Sequence, residues 1–318
     1  MIPPKVHDAT LAYWKDPKNY DREIGDEEAE MMVGASLVPG VFIMKTISND
    51  TDGASGCWLG GEPTLPASID WPWVMSPPMT GMHLTARERS LTKEYPMHFF
   101  AQIDLAEVPQ QPGKVDLPTQ GTLFFFADYI DHVEINEENP KYRVIYVEDD
   151  VSGCPPRSQP PFPDDFDEYG ELSCCYWWPE NPVTSFHKWP ITFANFDDIH
   201  MNQFPNFAYW KYAIKKHIER WDGLLKMAEK NSVQKREPLV PKPKGRSQKD
   251  PAKQHHLLGI DTPPGSTAAP KPDVVRLLTI QYDDDLNFVY AGQLGFFITA
   301  DDLALRNFDS VWAFTESS

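Results

Sequence analysis

Gln102 and Asp104 stand two residues apart at the end of an apolar run, and Gln281 and Asp283 repeat that spacing near the other end of the chain. Side chains two apart on a strand point the same way, so each Gln-x-Asp pair sets an amide and a carboxylate on one face. If the two segments are related by a pseudo-twofold, the four polar groups converge near its axis. The chemistry there would be that of a small polar ligand or, with Asp284 and Asp285 following Asp283, of a cation held by hard oxygen atoms. The structural alternative is that Gln and Asp at strand ends tie down loop N–H groups. His255 and His256 are candidate general bases or ligands near neutral pH. They also sit at the edge of a basic stretch, where adjacent histidines serve as solvated or capping groups. The run Asp164, Asp165, Asp167 and Glu168 lacks the alternating ligands and central glycine of an EF-hand loop, and reads as an acidic surface for a basic partner. No HExxH, Walker loop, GxGxxG or GxSxG sequence is present. The residues call for no cofactor and no resident metal, and the reading leans away from an enzyme.

The elements that would position these groups form a pattern that occurs twice. Phe99-Phe100-Ala101-Gln102-Ile103-Asp104 is followed by Gly121-Thr122-Leu123-Phe124-Phe125-Phe126, and Leu278-Thr279-Ile280-Gln281-Tyr282-Asp283 by Gly292-Gln293-Leu294-Gly295-Phe296-Phe297. Each copy reads as a strand ending in Gln-x-Asp, a loop, and a second strand opened by Gly-x-Leu-x-Phe-Phe. The expected fold is α+β and β-rich. Two similar β-hairpin-containing halves form one duplicated core, with an amphipathic helix packed across it. That helix is the stripe Phe207, Trp210, Ile214, Ile218, Trp221, Leu225 and Ala228, spaced three and four apart behind Pro205.

Composition bounds the partner. The chain has 318 residues, 41% of them hydrophobic, and a formal net charge of −18. That charge argues against nucleic acid and anionic membranes, whose phosphates would be repelled on approach. It fits a basic protein partner. Between Asp128 and Glu171 there are 13 acidic and 3 basic residues, a local balance of −10, so more than half of the net charge lies there. Cys57, Cys154, Cys174 and Cys175 lack paired CxxC spacing and read as reduced packing residues. No apolar leader opens the sequence and no run approaches the roughly 20 apolar residues that span a bilayer, so a cytoplasmic protein is expected.

In chain order, residues 1–40 read as an N-terminal extension with a weakly helical pattern ending at Gly34, and Val41-Phe42-Ile43-Met44 as a first strand. The stretch Trp58-Leu59-Gly60-Gly61-Glu62-Pro63-Thr64-Leu65-Pro66, with Asp70-Trp71-Pro72-Trp73, reads as a fixed extended loop pinned to the core by its tryptophans. Tyr142-Arg143-Val144-Ile145-Tyr146-Val147 alternates as a strand, residues 231–253 read as a mobile basic linker, and Ser310 to Phe314 closes the fold as a strand.

These residues carry a family resemblance. The 58–66 stretch with Trp71-Pro72, the run from Phe99 to Pro109, His255-His256-Leu257-Leu258-Gly259, and the second hairpin from Gln281 to Ile298 resemble the YwqG-like family, bacterial and of unknown function. The resemblance spans roughly residues 57–314 and implies a single domain. Some relatives are associated with bacterial toxin systems, which implies a toxin-neutralising role here. Where the family carries Trp-Gly-Asp before the second glycine, this chain has Phe288-Val289-Tyr290, so an activity using that aspartate would lack it. The functional expectation is a non-catalytic acidic protein-binding module of immunity or antitoxin type; the alternative is an enzyme, or a small-ligand or metal-binding protein, with its site between the two halves.

Overall fold

The computed structural model describes residues 11–12, 14–16, 23–35, 37–45, 55–76, 93–110, 117–128, 140–162, 186–199, 255–258, 274–283 and 288–317. The helical stripe 207–228, the basic stretch 231–253 and the acidic residues Asp164, Asp165, Asp167 and Glu168 lie outside these. Among the described residues the chain is β-rich. Its helices include Asp26–Ala35 and Ala300–Ala304, and none is long and apolar enough to cross a membrane.

The strands are β1 (Leu37–Lys45), β2 (Trp58–Leu59), β3 (Trp73–Ser76), β4 (Lys93–Pro96), β5 (His98–Asp104), β6 (Thr122–Ala127), β7 (Tyr142–Val147), β8 (Trp189–Ile199), β9 (His256–Leu258), β10 (Val274–Asp283), β11 (Phe288–Thr299) and β12 (Trp312–Ser317). Ten of them form one sheet in the order β12-β11-β10-β9-β1-β8-β2-β5-β6-β7, while β3 and β4 make a separate ribbon. From β8 outward the order is β2-β5-β6-β7, and from β1 outward it is β9-β10-β11-β12. The expected 58–66 loop begins as an inner strand, since Trp58 and Leu59 pair with both β5 and β8 before Gly60 ends the run.

The sheet curls over on itself. Seven strand spacings separate β11 from β6, about 34 Å in a flat sheet, yet the rings of Phe125 and Phe296 meet edge to face at 5.2 Å. One apolar cluster therefore fills the space inside the curl. It joins Ala101, Ile103, Leu123 and Phe125 to Leu278, Ile280, Leu294 and Phe296.

Register decides where the motif residues point. In the first hairpin Ala101, Ile103 and Asp104 pair with Phe125, Leu123 and Thr122 after a shift at Phe100. In the second, Leu278, Ile280 and Gln281 pair with Phe296, Leu294 and Gln293 after a shift at Leu277. Gln281 thus takes the ladder position of Asp104, and Thr279 that of Gln102. The two Gln-x-Asp segments are two residues out of phase. Ala101, Ile103, Leu278 and Ile280 all face the shared core. By the alternation of a strand, Gln102 and Gln281 both lie on the outer face, on opposite sides of the curl, and do not converge.

On the outer face of β5 and β6 a second cluster gathers Trp58, Leu65, Trp71, Val74, Tyr95, Phe99, Phe124 and Phe126. Trp71 donates its indole N–H to Met97 O at 2.9 Å and meets Phe126 edge to face at 5.1 Å. This is how the proline-rich stretch is pinned. Its carbonyls are claimed by Arg157, whose guanidinium donates to Pro66 O and Ile69 O at 2.9 and 2.7 Å and whose N–H donates to Pro63 O at 2.9 Å.

Candidate functional site

In the first hairpin the motif side chains are occupied with their own loops. Gln102 is 2% exposed. Its Oε1 accepts from Thr64 N at 2.9 Å and Thr64 Oγ1 at 3.1 Å, and its Nε2 donates to Gly56 O at 3.2 Å. Asp104 Oδ1 accepts from Ala106 N at 2.9 Å and so closes a turn. Beside it the Cys57 thiol is pushed well up by burial, reinforced by the nearby Glu107 carboxylate. A thiol held protonated is a poor nucleophile and a poor metal ligand.

The closing half is different. His255, His256, Gln281 and three residues that the sequence did not single out as site candidates, Arg276, Thr279 and Gln293, are all buried. His255 Nδ1 accepts the backbone N–H of Gln281 at 3.1 Å. Gln281 Nε2 donates to Gln293 Oε1. Arg276 Nη1 donates to Thr279 Oγ1 at 2.8 Å, and its guanidinium lies 4.6 Å from the centre of the Phe297 ring. Backbone pairing sets His256 against Thr279, and Asp283 against Phe288. The structure therefore brings His255 and Gln281 together and sets them apart from Gln102 and Asp104. Equivalent ladder positions in the first half carry the apolar Phe99 and Trp58 for Arg276 and His256, and the polar Gln102, Asp104 and Thr122 for Thr279, Gln281 and Gln293. Among the described residues no group of three or more His, Cys, Asp or Glu is placed to hold a metal ion.

A groove of about 620 Å³ lies elsewhere, at the edge of the sheet. One wall is strand β7, which ends the strand order. The opposite walls are the Ile69–Met75 segment with Glu94, and the Arg306–Asp309 turn. The phase of β7 follows from one bond, Asp128 N–H to Lys141 O at 2.7 Å. Two-residue steps from that pair make Arg143, Ile145 and Val147 the residues bonded to β6. The N–H and C=O groups of Val144 and Tyr146 consequently point away from β6, along the groove.

The side chains above that edge are apolar and acidic. Trp73 and Met75 are 45% and 48% exposed, because Val74 and its cross-strand partner Tyr95 take the inner face of the ribbon. Asp70 and Glu94 are exposed and, among the described residues, have no basic partner. The basic groups of the groove are committed: Arg143 bonds Asp309 at 2.7 Å, and Arg306 bonds Glu148. Tyr146 packs on Phe308 at 5.0 Å and donates to Gln120 O at 3.1 Å, which fixes the floor. An edge that no further strand covers among the described residues, flanked by exposed large side chains and by carboxylates without a basic partner among them, can take up an extended segment as a further strand. Sequence reasoning found β7 and the Trp71–Trp73 stretch but did not join them, since no local signal links residues 70, 144 and 307.

A family profile described as Domain of unknown function (DUF1963) matches residues 58–316. That description does not carry the narrower YwqG-like resemblance, which rests on the motifs alone. No curated protein matches the chain.

Proposed function

The chain belongs to the DUF1963 family, and since that membership brings no reaction with it, we propose that the protein is a non-catalytic acidic protein-binding module. Its groove takes an extended, basic and apolar segment of another protein beside β7. The observation that carries this is the outward-facing backbone of Val144 and Tyr146 next to Trp73, Met75, Asp70 and Glu94. Backbone groups would supply register, Trp73 and Met75 the apolar anchors, and the two carboxylates a preference for Lys or Arg. The net charge of −18 would speed approach of a basic partner, and Asp164, Asp165, Asp167 and Glu168 would add to that field. A basic toxin neutralised by an immunity-type protein in the cytoplasm is one partner with this chemistry. The same reading takes the two hairpins as copies of one unit, a view supported by their matched register shifts and by the Phe125–Phe296 contact across the core.

The test is selection of linear peptides from a displayed random library on the purified protein, followed by affinity measurement. Selected peptides should alternate apolar residues with Lys or Arg. Trp73→Ser, and separately Asp70→Lys with Glu94→Lys, should each weaken them about tenfold or more, on the order of 1.4 kcal/mol. These side chains are exposed, so the unfolding midpoint should stay in place. Peptides that lack basic residues, or that bind the variants as well as the parent, would refute the groove as the interface.

A further inference from the structure

The turn that forms one wall of the groove carries a side chain that its backbone does not call for. The Ala300–Ala304 helix closes in two bonds, Arg306 N–H to Leu303 O at 3.0 Å and Asn307 N–H to Asp302 O at 2.8 Å. Such paired bonds end a helix through a residue in the left-handed region, where glycine is the usual choice. Here that residue is Arg306, with φ of +55°. The turn is otherwise firmly held, since Asn307 Nδ2 donates to Asp302 Oδ1 at 2.7 Å and to Ser310 Oγ at 2.6 Å.

Stability does not account for the arginine. Its ion pair with Glu148 leaves the two side chains 50% and 68% exposed. A pair so exposed to water contributes less than a side chain in the left-handed region costs. What the arginine adds is a charge at a chosen place. Arg306 lines the groove beside Tyr146, whose hydroxyl has its pKa raised by burial against the opposing pull of the Arg306 charge. Tyr146 is one of the two β7 residues whose backbone faces the groove. The other cation of the lining, Arg143, stands in regular strand, where an arginine entails no such cost.

We propose that Arg306 is a specificity residue of the groove, reading one carboxylate on the bound segment, and that Glu148 holds the guanidinium in place until that carboxylate displaces it. The assignment rests on the groove taking an extended segment, and adds one acidic group to the basic ones expected there. Glu148 shows the chemistry that fits, because in the free protein a carboxylate already engages the guanidinium. A segment lying alongside Tyr146 brings its own carboxylate to the same donors, from an acidic side chain or from its C-terminus. The exchange replaces one exposed carboxylate by another and so costs little, and the planar fork of arginine suits a two-oxygen group. Asp70 and Glu94 take the Lys or Arg of the segment, which is therefore mixed in charge, with its acid beside Tyr146.

The experiment selects linear peptides with free C-termini on the full chain and titrates each against the parent, Arg306→Gly, Glu148→Gln and Trp73→Ser. Selected peptides should share one carboxylate at a fixed spacing from their Lys or Arg. Arg306→Gly should weaken them about tenfold or more, while its urea midpoint stays in place or rises, since glycine suits the cap. Glu148→Gln should act in the opposite direction and tighten them roughly twofold to threefold. Amidating the C-terminus, or changing the acidic side chain to its amide, identifies the source: one of the two should reproduce the loss and make the peptide indifferent to Arg306→Gly. Peptides that need Trp73 but bind Arg306→Gly as tightly as the parent overturn this assignment and leave the groove standing. Equal weakening by Arg306→Gly and Glu148→Gln, or a midpoint lowered by both, also overturns it, because the ion pair would then be structural. Peptides indifferent to Trp73→Ser overturn the assignment and the groove together.

Discussion

Replacing Gln102 by Met separates its two readings most sharply. The side chain is 2% exposed and engages Thr64 N, Thr64 Oγ1 and Gly56 O. Met keeps the length and removes all three bonds. The Thr64 hydroxyl can turn to a new partner, but its part-buried N–H cannot. Losing the bonds and stranding that N–H should cost about 2–4 kcal/mol, which for a chain of this size lowers Tm by about 3–6 °C. Urea unfolding followed by tryptophan fluorescence measures it, with Thr64→Val and the double variant completing a cycle whose coupling should be about 1 kcal/mol. Peptide binding at the groove should be unaffected. A loss below about 0.5 kcal/mol together with lost binding of any ligand would mean that Gln102 serves recognition and that its loop bonds are incidental.

Gly121 has φ +90°, and an ideal Cβ there would lie 2.6 Å from the Tyr146 ring and 2.7 Å from Val147 O, so Gly121→Ala should destabilise by more than about 2 kcal/mol, whereas Gly153→Ala, with nothing within 4 Å, should be near neutral in the same urea assay. Asp302 accepts from Thr299 Oγ1 and Asn307 Nδ2, each at 2.7 Å, and these bonds hold its pKa below the ordinary 3.8. A carboxylate with a depressed folded-state pKa contributes stability that is present above the unfolded value and lost as pH falls through the folded one. The stability difference between the parent and Asp302→Asn should therefore be constant near neutral pH and shrink below about pH 4; a difference that grows in acid would contradict the assignment.

What could be read from the chain was local. The strand at Tyr142–Val147 alternates and forms where the alternation places it. The glycine and proline chemistry of residues 58–66 announces a fixed stretch, because those residue types restrict the backbone whatever they touch. The strand Trp189–Ile199 was hidden by Pro190, which lacks a donor and weighs against an inner strand; there it sits at the second position, opposite Trp58. A repeat of residue types also suggested that the two Gln-x-Asp segments match. The ladder sets them two residues apart, because register answers to which side chains fill the curl: Ala101 with Phe125, and Leu278 with Phe296. The polar layer of Arg276, Thr279 and Gln293 and the groove between residues 70, 144 and 307 join residues far apart in sequence. Backbone preference and periodicity act within a few residues and are written in the chain; these sites depend on how a ten-stranded sheet closes on itself, which only the packing of the whole core decides.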